Sequence, residues 1–418
     1  MKIIHTADLH LGQLLYQNYD RGDEHEFFFR QLEEWCREER PDVLLLSGDV
    51  FDIHQPSARV RQVFSEAVAS LRHAVPGMTV VIIAGNHDSA SRIQSDNAMW
   101  RLSGAHLIGL PPSSNYCDTP GWEDDYIIRL DNGWVAAIPF MSGDRTEIYQ
   151  AVLDRIGELN REASLPVVMM AHLTVNSSDT EGHDFDIGMV KSVELEQLGE
   201  GYDYLALGHI HKSQTLGHPE DRMKESVSYP SPVARYAGSP LHVSCDEAYP
   251  HSVSLVEIDT RCGDVTIRQL RVNQLRHFIT LPKEGEPYTS SQEALDGVKK
   301  IAKEIEKSTA EDKGRYIRLR VSRDTILDAD FNQRVYDIAE PLAGELRYNP
   351  RIIREGEEEI KETEARDTIK VTELQDMSYD PIQFVERTID NYSDLGLELE
   401  DIREMFAEVK NYMEGKES

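Results

Sequence analysis

The sequence is poor in cysteine and has no long apolar run, and both absences narrow the class of protein. Four cysteines occur in 418 residues, and they are scattered without CxxC spacing, which argues against a disulfide framework and against a zinc finger. No segment approaches the roughly 20 apolar residues that a membrane-spanning helix needs. Residues 1–5 already have the pattern of a strand, so we expect no cleaved leader peptide. These features predict a cytoplasmic protein with reduced thiols.

Positive charge is also scarce. The chain has 44 Lys and Arg against 75 Asp and Glu, a formal net charge of −31. From Glu355 onward there are 20 acidic and 7 basic residues. This balance argues against the binding of nucleic acid through a broad positively charged surface. A chain of this charge that acts on DNA needs bound divalent cations, a few well-placed basic side chains and a partner to supply the attraction.

The length exceeds what one hydrophobic core usually supports, so several domains are expected. Residues 1–275 alternate strand and helix patterns and form the first predicted domain. The predicted helices are 25–40, with Phe28, Leu32 and Trp35 on one face, 57–75, with Ser57 as N-cap, and 145–163. Residues 111–125 and 212–250 have the composition of long loops. Strands at 252–258 and 265–270 are predicted to close the domain as a hairpin.

A second, smaller unit is predicted over residues 276–355. Its pattern is a strand at 278–281, a helix at 291–307, a strand at 316–321, a helix at 329–342 and a strand at 345–354. This βαβαβ order within about 80 residues is typical of a small α/β domain whose helices lie on one face of a sheet.

The last 63 residues divide into a predicted acidic linker, 356–376, and two predicted helices within 377–418. Asp380-Pro381 has the pattern of an N-cap followed by proline at the first helical position. The second helix carries apolar residues at three- and four-residue spacing, namely Ile402, Met405, Phe406, Val409 and Met413. This stripe either folds back on the body of the protein or binds helices of another protein. The pattern alone does not choose between the two.

Five polar clusters, each at the end of an aliphatic run, are the most informative feature of the chain. They are Asp8 and His10 after 2–4, Asp49 after 43–46, Asn86-His87-Asp88 after 80–83, His172 after 167–170, and His209 with His211 after 204–207. Short aliphatic runs between amphipathic helices are typical of buried parallel strands. Ligands bind at the carboxyl ends of such strands, so the five clusters are expected to converge.

The residue types in these clusters predict a metal site. A single histidine at a strand end is more often a hydrogen-bonded structural residue than a ligand, and it is the ordered set of five that favours metal binding. Asp, His and Asn without cysteine suit Mn²⁺ or a similar cation. Asp49, preceded by Gly48, is the natural carboxylate to be shared between two ions. Histidines outside these clusters are predicted to be ordinary surface or loop residues: His73, His106, His218, His251 and His277.

The motif series Asp8-x-His10, Gly48-Asp49, Gly85-Asn86-His87-Asp88, His172 and Gly208-His209-x-His211 resembles the calcineurin-like metallophosphoesterase superfamily. Within that superfamily, the stretches 5–12 (HTADLHLG) and 47–52 (SGDVFD) resemble the bacterial SbcD family of nuclease subunits. The resemblance implies an α/β fold: a β-sandwich flanked by helices, a small α/β capping domain, and C-terminal helices that bind a partner.

The resemblance also implies a role for each residue of the clusters. One metal would be held by Asp8, His10, Asp49 and His211, and the other by Asp49, Asn86, His172 and His209. His87 would face the scissile phosphate without binding metal, stabilising charge or protonating the leaving oxygen. Asp88 would orient His87 from behind. Archaeal and eukaryotic relatives have histidine where this chain has Asp52, which agrees with the bacterial pattern and leaves the roles of Asp52 and of nearby His54 open.

The activity implied by the resemblance is that of a DNA nuclease dependent on two Mn²⁺ ions, with Mg²⁺ or another divalent ion as the alternative. Such nucleases are 3′-to-5′ exonucleases on duplex ends and endonucleases on single strands and hairpins, in DNA repair, recombination and replication. The implied partners are DNA and an SbcC-like ATPase, with two copies of the chain in a heterotetramer.

Two other functions stay open from the sequence. One is another reaction of the superfamily, on phosphoproteins, nucleotides or cyclic nucleotides. The phosphoprotein phosphatase patterns GDxxDR and GNHE are not matched here, because Ile53 follows Asp52 and Asp88 follows His87. The other is a non-catalytic regulator of a partner ATPase, which the complete set of expected ligands does not favour.

Overall fold

The computed structural model describes residues 1–354 except 17–18, 114–116, 144, 181–191, 222–223, 245–246, 248, 260–262 and 343. One structural unit runs from Met1 to Glu358, and the rest of the chain, Glu359–Ser418, forms a second. The predicted linker and the predicted C-terminal helices lie outside the described residues.

Six α-helices lie in the described part of the chain. They are α1 (Gly22–Glu39), α2 (Ala58–Ala74), α3 (Ala90–Arg101), α4 (Glu147–Leu159), α5 (Ser291–Lys307) and α6 (Phe331–Ala339). Five of them were predicted from apolar periodicity. The side chain of Ser57 accepts a hydrogen bond from the Val60 N–H at 3.3 Å, so its predicted role as the N-cap of α2 is confirmed.

The strands of the first 275 residues include the five aliphatic runs that precede the polar clusters. In chain order they are β1 (Lys2–Thr6), β2 (Leu14–Leu15), β3 (Tyr19–Asp20), β4 (Val43–Ser47), β5 (Thr79–Ile83), β6 (Ala105–Ile108), β7 (Ile127–Leu130), β8 (Gly133–Ala137), β9 (Val167–His172), β10 (Tyr204–Gly208), β11 (Gln214–Thr215), β12 (Ser226–Pro230), β13 (Val233–Tyr236), β14 (Ser252–Ile258) and β15 (Asp264–Arg271). Four more follow: β16 (Arg276–Leu281), β17 (Gly314–Val321), β18 (Leu346–Tyr348) and β19 (Ile353–Arg354).

Two large mixed sheets form the body of the first 275 residues. The seven-stranded sheet has the order β12-β15-β14-β1-β4-β5-β6, and the six-stranded sheet has the order β11-β13-β10-β9-β8-β7. Strands β1, β4, β5 and β6 are parallel to one another, as are β8, β9, β10 and β13. All five strands that precede a polar cluster therefore lie in parallel regions.

Alternating side chains place one core between the sheets and another under the helices. Ile3 and Leu45 belong to the core shared with the second sheet, and Leu44 belongs to the core shared with Phe28 of α1 and Val68 of α2. Neighbouring residues of one strand point to opposite faces, which explains why residues 43–46 of β4 are all apolar. The predicted α/β fold, with sheets flanked by helices, is confirmed.

Residues 276–354 have a hydrophobic core of their own. Strands β16, β17 and β18 form a parallel sheet, β19 pairs with the end of β17, and α5 and α6 pack on one face through residues such as Val298 and Val335. This element order is the βαβαβ order of the sequence prediction. The domain boundary at 275/276 stays a prediction, because both parts belong to the unit Met1–Glu358.

Some sequence predictions were wrong. Residues 212–250 are not one long loop, since they contain β11, β12 and β13. Strands β11 and β12 are short, rich in polar residues and located at sheet edges, so they lack the aliphatic signal of a central strand. Helix α3 was missed because only Ile93 of its 12 residues is buried, which leaves no apolar periodicity. Within the described residues, no helix combines the length and apolar character needed to cross a bilayer.

Candidate metal centre

The register of the two sheets brings the ends of five strands together. Thr6 of β1 lies beside Leu46 of β4, and Ser47 of β4 lies beside Ile83 of β5. In the other sheet, Gly208 of β10 pairs with His172 of β9. Strand β4 packs against both β9 and β10. The carboxyl ends of the parallel strands in the two sheets therefore lie close together. The five polar clusters therefore converge, as the sequence predicts.

One group of metal-binding side chains consists of Asp8, His10 and His211. One ligand atom of each lies within 4.8 Å of the others, and all three residues are buried. The two imidazoles approach through their Nε2 atoms, which are 3.3 Å apart. Asp8 also accepts the backbone N–H of His209 at 3.0 Å, which ties β10 to β1.

A second group consists of Asp49, His172 and His209, again with ligand atoms within 4.8 Å of one another. Asn86 completes it, because its Oδ1 lies 3.0 Å from His172 Nε2 and 3.1 Å from His209 Nδ1. The ring of His172 is fixed from behind, since its Nδ1 donates to the Ser47 carbonyl at 2.8 Å and Nε2 faces the group.

Asp49 lies between the two groups. Its Oδ2 is 3.4 Å from His172 Nε2 and 3.9 Å from His10 Nε2, so one carboxylate oxygen is close to a histidine of each group. The other oxygen accepts the backbone N–H of His87 at 2.9 Å. This is the position required of a shared ligand.

The backbone at the site is strained. Asp8, His10, Asp49 and His209 have positive φ angles of 55°, 46°, 48° and 98°, a region that side-chain-bearing residues rarely adopt. Gly48 has φ +92°, and a Cβ there would lie 2.2 Å from His172 Nδ1. Strain of this kind persists where the surrounding structure enforces it and is concentrated at functional sites.

Burial and charge shift the acid–base properties of the site. Burial raises the pKa of Asp8 to about 7, with the neighbouring Asp49 charge acting in the same direction. Burial opposes the charged form of His172, but the Asp49 carboxylate raises the pKa of His172 to about 9. Burial also opposes ionisation of Asp49, yet His172 and His10 hold the pKa of Asp49 well below its usual range. The negative charges of Asp8 and Asp49 repel each other, and a cation bound between the two carboxylates relieves that repulsion.

His87 differs from the candidate ligands because it is exposed, although its ring lies 4.9 Å from that of His10. Its Nδ1 donates to the Asp52 carbonyl at 2.9 Å, so Nε2 is the nitrogen turned to the open side of the site. The Asp52 carboxylate itself lies 3.3 Å from His10 Nδ1. Asp52 thus lies next to two histidines, whereas His54 is exposed and lines a cleft with Phe51 and Arg61.

The expected contact between Asp88 and His87 is corrected by the structure. The carboxylate of Asp88 accepts three backbone N–H groups, those of Gly85, Val50 and Phe51, at 2.9–3.1 Å. These donors lie in the turns after β4 and β5. Asp88 therefore fixes the backbone around Asp49 and Asn86, and among the described residues it makes no hydrogen bond to the His87 ring.

Glu247 was missed by sequence reasoning. It is 3% exposed, and its Oε1 lies 3.2 Å from His211 Nδ1. His251, predicted to be an ordinary surface or loop residue, is also 3% exposed, with Nε2 3.4 Å from Glu247 Oε2. No aliphatic run or motif precedes Glu247, so no local signal identifies it.

The donor set fits divalent cations. The imidazole nitrogens, carboxylate oxygens and amide oxygen of two adjoining groups point inward, and no cysteine is among them. The Nδ1 atoms of His10 and His211 each face a carboxylate. The Nε2 atoms of the two rings face each other at 3.3 Å. A cation bound by both Nε2 atoms would remove the repulsion between their lone pairs.

The comparison with protein families decides the assignment. The model of the calcineurin-like phosphoesterase family matches residues 1–213, which contain every candidate ligand and His87. The chain belongs to this family. As a calcineurin-like phosphoesterase it is a metal-dependent phosphodiesterase, a hydrolase, and the enzyme class predicted from the sequence is confirmed.

Similar proteins in three bacteria are named as the SbcD component of the nuclease SbcCD. The Rhodobacter capsulatus protein is 28% identical over an alignment of 316 residues, and the match covers 68% of this chain and 72% of that protein. The Escherichia coli K12 protein is 28% identical, over 61% of this chain and 65% of its own length. The Bacillus subtilis protein is 29% identical, over 62% and 66%. The predicted resemblance to the SbcD family is confirmed.

Proposed function

We propose that this phosphoesterase is the nuclease subunit of an SbcCD-type complex and hydrolyses DNA with two Mn²⁺ ions. The observation that carries the proposal is the position of Asp49 between two groups of candidate ligands, in a chain similar to nuclease subunits. The proposed activities are 3′-to-5′ exonuclease action on duplex ends and endonuclease action on single strands and hairpins. The proposed setting is DNA repair, recombination and replication.

The proposed ligand sets follow the two groups. Asp8, His10, Asp49 and His211 hold one cation, and Asp49, Asn86, His172 and His209 hold the other. When bound, two such cations clamp a phosphodiester and make an attacking water more acidic. The protein's part is to keep these side chains fixed, which it does by burying all of them except the half-buried Asn86 and by anchoring His172 on the Ser47 carbonyl.

His87 is the proposed catalytic side chain. Its Nε2 is directed to the open side by the hydrogen bond from Nδ1 to the Asp52 carbonyl. An imidazole there stabilises charge on the scissile phosphate or gives its proton to the leaving oxygen. We infer this role because His87 is exposed while the candidate ligands around it are buried or half-buried.

The test is a nuclease assay with Mn²⁺ on wild type and on His87→Asn. Loss of a general acid typically lowers the rate about 10²- to 10⁴-fold, and we expect a loss in that range with unchanged Mn²⁺ uptake. Unchanged cleavage would remove His87 from catalysis. Because one side-chain nitrogen of His87 lies within 4.8 Å of ligand atoms of His10 and Asp49, a loss of bound Mn²⁺ in the variant would instead make His87 a ligand.

A matched control for this test is His73→Asn, an exposed histidine on α2. It should cleave like wild type. The assay should also include a p-nitrophenyl phosphodiester, because hydrolysis of this ester without hydrolysis of DNA would favour a small-molecule reaction of the superfamily over the nuclease.

We also propose an SbcC-type ATPase as partner, in a heterotetramer with two copies of each chain. The net charge of −31 supports the need for a partner, because the chain supplies little basic surface to hold DNA. Residues 377–418 are the proposed binding segment on the basis of their sequence pattern. The cytoplasmic location stays a prediction.

A further inference from the structure

A buried carboxylate behind one candidate ligand has no place in the ligand sets proposed above. Glu247 lies between β13 and β14, outside the five motif clusters, and is 3% exposed. Burying a carboxyl group is costly unless its oxygens are well paired, so the contacts of Glu247 indicate what its position serves.

Both oxygens of Glu247 are engaged. Oε2 accepts the backbone N–H of Val243 at 2.8 Å and lies 3.4 Å from His251 Nε2. Oε1 lies 3.2 Å from His211 Nδ1. The bond to Val243 fixes the carboxylate within its own loop, so Oε1 is held in front of the His211 ring.

This contact determines which nitrogen of His211 carries the proton. Opposite an ionised Glu247, which can only accept a hydrogen bond, His211 donates through Nδ1 and keeps the lone pair on Nε2. Nε2 is the atom that meets His10 Nε2 at 3.3 Å, inside the group that also contains Asp8. His10 has a similar arrangement, with Asp52 Oδ1 3.3 Å from its Nδ1.

We propose that Glu247 is a positioning residue of the metal centre, which orients His211 and presents its Nε2 to the cation of the Asp8 group. In the second group, the Nδ1 of His172 donates instead to a neutral carbonyl, that of Ser47. A carboxylate behind a ligating imidazole fixes the ring and raises its basicity, and its removal typically weakens metal binding 10- to 100-fold.

The inference rests on the proposed two-metal site and is tested by metal binding rather than by cleavage. Calorimetric titration of the metal-free full chain with Mn²⁺ should show two bound ions in the wild type. In Glu247→Gln, one of the two should bind 10- to 100-fold more weakly and the other as before. Glu247→Asp keeps the charge on a shorter side chain and should recover part of the affinity.

The matched control is Glu39→Gln, since Glu39 pairs with Lys2 and Arg268 at the opposite end of β1. Its Mn²⁺ affinities should equal those of the wild type. Wild-type uptake of two ions with unchanged affinities in Glu247→Gln would overturn the inference alone. Failure of the wild type to bind Mn²⁺ would overturn the proposed function together with it.

A second measurement needs no substitution at Glu247. In ¹⁵N-histidine spectra of the metal-free wild type, with the His211 signals identified by their loss in His211→Asn, we expect His211 to carry its proton on Nδ1. A purely structural role for Glu247 does not require this tautomer. Observation of the Nε2–H form of His211 would refute the inference.

Discussion

At the residue scale, the site depends on close approach between backbone and ligand as much as on the ligands themselves. Gly48 precedes the shared ligand Asp49, and it adopts φ +92° against the ring of His172. The sequence places Gly48 directly before Asp49, but it could not show that the space beside Gly48 is occupied by a candidate ligand from the other sheet.

Gly48→Ala should therefore damage both stability and metal binding. The left-handed backbone costs a side-chain-bearing residue about 1–2 kcal/mol, and the new Cβ would lie 2.2 Å from His172 Nδ1. We expect a loss of at least about 2 kcal/mol in the free energy of unfolding, with weaker Mn²⁺ binding. Urea denaturation and calorimetry measure the two effects.

Two other glycines separate the causes. Gly201 has φ +106° with nothing within 4 Å of an added Cβ, so Gly201→Ala should cost stability but not metal affinity. Gly77 has neither a left-handed φ nor an atom within 4 Å of an added Cβ, so Gly77→Ala should leave stability nearly unchanged. Equal Mn²⁺ affinities in Gly48→Ala and Gly201→Ala would show that contact with His172 is unimportant.

At the scale of elements, a buried ionic cluster joins α1 to the small sheet of residues 276–354. Glu24 accepts hydrogen bonds from Arg21 at 2.7 Å, Arg276 at 3.0 Å, Arg347 at 3.2 Å and Tyr316 at 2.6 Å. All five residues are buried. Removing one partner of such a cluster leaves a buried charge uncompensated, which is strongly destabilising. The cluster therefore holds α1 against the small sheet only while all of its partners are present.

The cluster predicts a pH-dependent contribution to stability. Burial opposes ionisation of Glu24, but Arg21 with the bonds from Tyr316 and Arg276 lowers the pKa of Glu24 from 4.5 to about 2. Because the folded-state pKa is depressed, the stabilisation is present above pH 4.5 and is lost as the pH falls toward 2. Its size near neutral pH is about 3 kcal/mol.

The measurement is urea unfolding of wild type and Glu24→Gln at several pH values. The difference in unfolding free energy should shrink by about 2 kcal/mol between pH 6 and pH 3. Glu26→Gln, an exposed position on the same helix, should stay within about 0.5 kcal/mol of wild type. A difference for Glu24→Gln that does not change with pH would contradict the ionised state of Glu24.

At the scale of the whole molecule, catalysis and partner binding are predicted to reside in separate parts of the chain. Every candidate ligand lies before residue 248, whereas the apolar stripe proposed to bind the ATPase lies after residue 400. The metal centre is built from the two large sheets and does not need residues 376–418 for any of its described contacts.

A chain that lacks residues 376–418 should therefore bind Mn²⁺ like the full chain but fail to bind an SbcC-type ATPase. Calorimetry and copurification measure the two properties. Within the full chain, Phe406→Ala should weaken the complex because it removes an apolar group of the stripe, and Glu408→Ala should not. Complex formation by the truncated chain would contradict the proposed binding segment.

The central strands and the types of candidate ligand can be predicted from the chain alone. Aliphatic runs such as Val43–Leu46 are readable because buried parallel strands need apolar residues on both faces, and the polar residues that follow mark the strand ends. Helix α3 and edge strand β12 were not predicted because few of their residues are buried, and edge strand β11 was not predicted because both of its residues are polar.

Which side chains lie next to each other depends on the packing of the folded chain. The packing of β4 against β9 and β10 places Asp49 beside His172, and loop packing brings Glu247 to His211 from 36 positions away. Contacts of this kind depend on how two sheets and a loop fit together. They leave no periodicity in the chain, because each is made by a single residue rather than by a repeating face.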